Sequence, residues 1–403
     1  MKTTRIVLSL ALAGLLGALS QAAAQTPLGP QLRVDPPNLD PAARYAPSLA
    51  FDPAGALWIA WESHDSALNG VAARSVSTSG ALSRVILPLP RTAQLPALVS
   101  APGGFAVFGE TEQGLLEMRR FNGLGALRGP LVLVQPSEPF TPHLVTPLPH
   151  GGFFLVWTAD DCPGIRCTSS GVFARVLDGL GKALTPPFRV TPSIAHDQIP
   201  TGVVADPQGN VFVTWWEAVP QDPPLYVLYA RRLSRAGEPL SGPIRVSEQT
   251  SGLSGGAAAD AAGNFVVVWQ SVGADGKQSI QARRYSSQGA PLGPELLVSG
   301  EASSAATSPQ VAMSAAGDFF VVWESFGCGE CDYVDVKGRL FRADGTVEDE
   351  IVVNDYKVGS QIAPAAAFSS DGRLAVAWLA EAASHSDFEV DAKLYSVGAP
   401  TPP

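Results

Sequence analysis

The sequence predicts an all-β chain folded as a seven-bladed β-propeller, and three observations predict it. A tryptophan-ended phrase recurs seven times. Each recurrence sits among four strand-sized segments. The chain also opens on a segment that elsewhere closes the repeating unit.

The phrase is clearest as "GNFVVVW" (263–269). Its counterparts are "GALWIAW" (55–61), "GGFAVFG" (103–109), "GGFFLVW" (151–157), "GNVFVTW" (209–215), "GDFFVVW" (317–323) and "GRLAVAW" (372–378). The copies end at 61, 109, 157, 215, 269, 323 and 378, with Gly109 where the others carry Trp, so they lie 48 to 58 residues apart. Self-similarity at such a period marks a repeat architecture.

Within a unit the first segment, strand A, is apolar and often opened by Pro, as in "PSLAF" (47–51), "PALVS" (96–100) and "PQVAM" (309–313). A turn such as "DPAG", "DPQG" or "DAAG" leads into strand B, the tryptophan phrase. A longer polar loop follows, then strand C, as in "YARRL" (229–233) or "QARRY" (281–285). A Gly-bearing turn leads to strand D, of which "APLGPELLV" (290–298) is the clearest case. Four short segments separated by turn residues describe a small antiparallel sheet. In strand B both alternating faces are apolar, so each sheet must be covered on both sides. Seven such sheets satisfy this by closing radially. An open stack would need polar caps at its two ends, and no capping segment is visible.

Strand D of the seventh unit is missing, because after "EVDAKLY" (389–395) the chain runs out at "SVGAPTPP". The spare copy is "TPLGPQLRV" (26–34), identical to "APLGPELLV" at six of nine positions. Docked beside strand C of the last unit, it closes the ring. Each Trp at the repeating position is expected to pack between blades, removing roughly 150–250 Å² from water, or about 4–6 kcal/mol. Trp58 and Trp216 lie off that position and are expected as exposed aromatic contacts.

Residues 1–24 read as a secretory signal. Lys2 and Arg5 precede the 14-residue apolar run "IVLSLALAGLLGAL", and "AAA" (22–24) offers small residues for cleavage. The propeller is then assigned to 25–398 and a short tail to 399–403. The run is short for a membrane span of roughly 20 residues, and no later stretch is long and apolar enough, so membrane insertion is not expected. The chain carries a net charge of −10 and only 16% charged residues, while Gly and Pro supply 40 and 35 positions. That balance disfavours nucleic acid as a partner and suits many short strands and turns.

The A–B and C–D turns are short and share one rim. The longer B–C and D–A connections share the other, where function is expected. That second rim is acidic. Glu62, Glu110, Glu217 and Glu324 follow the Trp position, and Asp65, Asp160, Asp161, Asp332, Asp335 and Asp387 lie in the same set of loops, with His64 and His385 beside them. The carboxylates read either as a solvated rim or as Ca²⁺ sites, which clustered carboxylates and carbonyls suit; no EF-hand spacing is present. Strand C carries Arg74, Arg119, Arg175, Arg231, Arg283, Arg339 and Lys393 at one repeating position. A residue present in every blade reads as structural, pairing with a strand-B acid or with strand-end carbonyls.

"DDCPGIRC" (160–167) and "CGECD" (328–332) occur once each. In an exported chain they predict local disulfides Cys162–Cys167 and Cys328–Cys331. A zinc or redox role for the CxxC is the alternative. His143 opens a strand and His150 sits in a tight turn. No GxSxG is present, and no catalytic residue is assigned.

The repeat as a whole, "GxFVVVW" then "ARRF" then "PLGxE", resembles the roughly 50-residue unit of many secreted and surface-attached bacterial proteins. The resemblance covers nearly all of 25–398 and implies a propeller, often an accessory or adhesion module, with no catalytic residues to carry across. The sialidase Asp-box and the kelch and WD40 dipeptides are absent. The expected function is an exported, periplasmic or extracellular, non-enzymatic binding or scaffold protein that presents its acidic loop face to a protein or glycan. The alternative is a propeller hydrolase or lyase acting on polysaccharide.

Overall fold

The computed structural model describes residues 25–36, 45–64, 68–90, 94–111, 113–136, 143–160, 169–192, 196–219, 225–247, 251–273, 276–300, 305–327, 333–381 and 388–398. Among them there is no helix, and so none long and apolar enough to cross a membrane. The strands form seven antiparallel sheets, one per repeat, arranged as a seven-bladed propeller. Blade five is representative, with strands Ser251–Ala259, Phe265–Val272, Gln278–Tyr285 and Leu296–Leu297 in order A to D.

The A strands surround the axis. Each lies beside the A strands of the blades before and after it, and Gln361–Phe368 of blade seven lies beside Tyr45–Phe51 of blade one. Seven apolar clusters fill the seven gaps between blades, and the cluster built from Ile59, Trp61, Ala377 and Val390 joins blade seven to blade one. Strand B supplies both sides. Trp269 faces blade four, while Val266 and Val268 face blade six.

This two-sided burial overturns one sequence expectation. Trp58 and Trp216 are 2% and 1% exposed. Both lie inside strand B and point to the face opposite the repeating Trp. Trp58 meets Phe105 of blade two at 4.3 Å between ring centroids, and Trp216 packs with Phe265 and Tyr285 of blade five. A strand covered on both faces has no solvent-facing position to offer an aromatic contact.

Strand D is shorter than the sequence pattern suggests. In blade five it holds two paired residues and an isolated bridge at Pro291. Prolines in "PLGP" cannot donate to a ladder, which confines such a segment to the outer edge. What secures it is a polar residue one place beyond a buried Val. Thr191, Ser247, Ser299 and Asn354 each accept a hydrogen bond from a strand-C N–H, at 2.9–3.3 Å.

The N-terminal segment reproduces this arrangement in blade seven. Gln25–Pro27 and Leu32–Arg33 pair with strand C of the last blade, Phe388–Val397, opposite Tyr395 to Val397 and opposite Asp391 and Ala392. Val34 is fully buried, and Asp35 Oδ1 accepts from Val390 N–H at 3.0 Å. Gln31 adds a second tie, donating its Nε2 to Asp391 at 2.5 Å and exchanging two hydrogen bonds with Asp355 at 2.7 and 2.9 Å.

Arg74, Arg231, Arg339 and Lys393 of strand C bind carbonyls rather than strand-B acids, and Lys393 pairs in addition with Asp355 at 2.6 Å. Arg231 donates Nε to Ser241 O in its own blade at 3.1 Å and Nη1 to Val190 O in the preceding blade at 2.5 Å. Arg74 does the same to Ser83 O and Val34 O, and Arg339 to Glu348 O and Val298 O. Lys393 reaches Val353 O at 3.2 Å. These four cations thereby tie the strand D edge of one blade to the next, and for Arg74 that edge belongs to the N-terminal segment.

The closure also concentrates carboxylates. Burial pushes Asp391 up to about 7; the Gln31 hydrogen bond and Arg33 oppose this, and the charges of Glu389 and Asp35 add to it. A carboxyl raised in the folded chain favours folding while protonated. Its contribution is complete below about pH 4 and is lost as pH rises through about 7. Asp391→Asn is therefore expected to flatten the decline in stability between pH 4 and 8, a difference on the order of 4 kcal/mol. Denaturant melts across that range check it, and an unchanged slope would count against the assignment.

Candidate functional site

The A strands do not run evenly to the loop-bearing rim. Their pairing with strand B shifts register between Tyr45 and Ser48, Gln94 and Ala97, Thr307 and Gln310, and Ile362 and Ala365. These are β-bulges, which bend a strand and leave a residue unpaired. Three of them hold a non-glycine residue in the left-handed region, each directly before a proline. They are Leu95, Ser308 and Ala363, with φ of 50°, 52° and 52°. Such backbone costs about 1–2 kcal/mol per residue and persists only where its surroundings fix it.

The fixing groups are the glutamates that follow the repeating Trp. Glu62 of blade one, itself buried, accepts from Leu95 N–H of blade two at 3.1 Å. Glu324 of blade six accepts from Ala363 N–H of blade seven at 2.8 Å, and its other oxygen accepts from Thr307 and Ser308 of its own blade at 3.0 and 3.1 Å. Glu217 accepts from the buried Gln198 at 3.1 Å. Each of these acids therefore joins strand B to an A strand. Replacing Glu324 by Ala is expected to cost about 2–3 kcal/mol, since three donors lose a charged acceptor; chemical denaturation would show it, and a loss below 0.5 kcal/mol, within the usual surface range, would contradict the role.

Inside the bulges, at the level of the Trp ring, the A strands enclose a chamber of about 670 Å³ on the axis. Its wall is mostly Pro, Ala, Gly, Leu and Val, with Leu95, Ser308 and Ala363 among the residues nearest the loop-bearing rim. Ser48, Thr201, Ser254, Ser308, Gln310 and Glu324 are the polar side chains among the lining residues, and His143 borders it as well. A second cavity of about 320 Å³ lies at the opposite end of the axis, between the A–B turns around Asp206, Asp260 and Ser369.

The polar atoms of the His143 ring are closed off from the chamber. Its side chain is 5% exposed, and its Nδ1 stands 3.9 Å from Glu110 Oε2. Neither ring nitrogen has a hydrogen-bond partner among the described residues.

The sequence-predicted rim residues are dispersed. Glu62, Glu217 and Glu324 lie in the bulge ties, and Trp216 lies in the interblade core. His64 donates to Glu62 at 2.7 Å, and Asp335 accepts from Asn354 in the strand D tie of blade six. Asp160 is exposed at the end of its strand B. Asp65, Asp161, Asp332, His385, Asp387 and all four cysteines lie outside the described residues. Among the described residues no three His, Cys, Asp or Glu side chains converge as metal ligands. The chamber was not foreseen. Its local signs were the residue-plus-Pro step in strand A and the Glu directly after Trp.

No protein-family profile and no curated protein matches the chain. Solved structures match its fold. A protein of unknown function from Dyadobacter fermentans covers 93% of this chain and all of its own, at 11% identity and a TM-score of 0.55. A copper-containing fungal alcohol oxidase covers 92% of this chain and 76% of its own, at 13% identity and 0.55. The α-L-arabinanase of Penicillium chrysogenum, complexed with arabinobiose, covers 77% and 97%, at 14% identity and 0.52. At such identities the likeness shows the fold alone, and one fold hosts many unrelated chemistries.

Proposed function

We propose that the protein is an exported, non-enzymatic binding or scaffold protein whose loop-bearing, acidic rim is presented to a protein or glycan. One observation carries this reading. The rim acids Glu62 and Glu324 accept hydrogen bonds from the A strand of the next blade, and Glu217 accepts one from the A strand of its own, so all three are engaged in the scaffold. A general acid or base has to exchange its proton with substrate, and carboxylates tied to backbone N–H groups and hydroxyls are poorly suited to that. The propeller itself is a rigid support on which variable loops can differ without disturbing the core.

The rival reading is a hydrolase or lyase acting on polysaccharide, the class to which the arabinanase neighbour belongs. Asp160, exposed at the end of its strand B, is the described rim carboxylate this reading would use. A polysaccharide panel assayed for released sugar separates the two. The binding reading expects retention of a glycan or protein with no release. Release that Asp160→Asn or Glu324→Gln abolishes would establish the enzyme instead.

A further inference from the structure

We infer that the crevice between blades five and six, at the rim of the short turns, binds a small carboxylic acid built on one apolar ring. The ring sits among Leu292, Leu296 and Val347, and the carboxylate pairs with Arg284. This site is separate from the acidic loops and does not depend on the reading above.

The crevice is where the repeat departs from itself. The first five C–D turns each carry a glycine, Gly80, Gly125, Gly181, Gly237 and Gly289, onto which the preceding blade packs. In each case a side chain stands within 3.4 Å of the place a β-carbon would occupy, as Phe188 does at Gly237 and Ile244 at Gly289. The sixth, Gly345, has nothing within 4 Å. Leu296 holds the place in strand D of blade five that Phe188 and Ile244 hold in theirs, yet the gap stays open.

The first residue of the same turn departs too. Ser77, Asn122, Asp178, Ser234 and Ser286 each cap their own turn by accepting a backbone N–H. Arg342 has no acceptor to offer. It is 2% exposed and turns inward to Asp318 Oδ2, Glu348 Oε1 and Gly398 O, at 3.1, 3.1 and 2.8 Å. A feature present in every blade serves the scaffold, whereas two departures at one turn mark a place built for something else.

Size limits the occupant. The space is about 150 Å³, walled by Leu292, Pro294, Leu296 and Val347, with the stacked, nearly buried rings of Phe319 and Phe341 at its inner end. Leu292 and Val347 are 52% and 47% exposed, so the entrance is itself apolar. An apolar cavity of about 150 Å³ accommodates benzene, which allows one ring and not two.

Charge decides what the ring carries. Arg284 borders the crevice, half-buried. Its two Nη atoms share Ala343 O at 3.3 Å, and its other N–H donors have no acceptor among the described residues. The charge of Arg342 is met by Asp318 and Glu348, while that of Arg284 meets no carboxylate among them. A carboxylate suits the guanidinium fork, and partly out of water the pair attracts more strongly than on an open surface. A neutral ring would leave Arg284 unmatched, and a cationic one would be repelled.

The test titrates the full chain, by calorimetry and saturation-transfer NMR, with benzoate, cyclohexanecarboxylate, benzyl alcohol, benzylamine and acetate at one ionic strength. The expected result is that at least one ring acid binds, and that it binds at least tenfold tighter than the last three. Arg284→Gln is expected to weaken the ring acid at least tenfold, and Leu292→Trp, which fills the crevice from its lip, to weaken it as much. Both residues reach solvent, so both variants are expected to melt with the parent. The inference is overturned if neither ring acid binds. It is equally overturned if benzyl alcohol, benzylamine or acetate binds within tenfold of the ring acid, or if either variant leaves ring-acid binding unchanged.

Discussion

A chain lacking residues 25–35 is expected to melt roughly 10 °C below the parent. The deleted segment supplies strand D of blade seven, the buried Val34, the Asp35 cap on Val390 and the Gln31 ties to Asp355 and Asp391. It also supplies the carbonyl that Arg74 grips from blade one. Burial of one Val or Leu side chain is worth about 1.5–3 kcal/mol and each hydrogen bond about 1 kcal/mol. Several such losses together, set against the unfolding entropy of a chain this long, give that shift. Calorimetry of the two chains checks it. Coincident melts would mean that the ring is held shut by something other than its first strand.

Trp216→Ala is expected to cost about 3–5 kcal/mol, the usual toll for emptying a large aromatic site in a core. Trp216 fills the gap between blades four and five with Phe212, Phe265 and Tyr285, where Phe212 and Phe265 stack at 3.6 Å between centroids. Neither blade can move inward to close the void, because the A strands already surround the axis. Trp216→Phe retains much of the volume and should lose less. Equilibrium denaturation of the two variants gives the comparison. A Trp216→Ala protein as stable as the parent would restore the exposed-aromatic reading that its burial contradicts.

The ring was legible in the sequence because its signals are local and repeated. The Trp phrase marks strand B, its two apolar faces require neighbours on both sides, and a displaced "PLGP" segment tells where the ends meet. Trp58 and Trp216 were misread for a related reason. Departure from the repeating position suggested freedom, yet a strand buried on both faces has none, and "VFVTWWE" already showed apolar residues at successive positions. The bulge ties were harder to see. Glu62 and Leu95 lie 33 residues apart and Glu324 and Ala363 lie 39 apart, each pair spanning two blades. His143 looked like an ordinary strand-opening residue. What distinguishes it is a buried side chain beside the axis without a hydrogen-bond partner among its described neighbours, and periodicity carries no trace of that.

The joining of the two ends within one sheet has a consequence for biosynthesis. Asp35 and the N–H it caps are separated by 355 residues. At roughly 5–20 residues per second on the ribosome, the earliest segment waits tens of seconds before its pairing partner exists. Until then the nascent molecule is an open arc with one raw apolar flank, and a chaperone that shelters this flank would act chiefly before the final forty residues emerge.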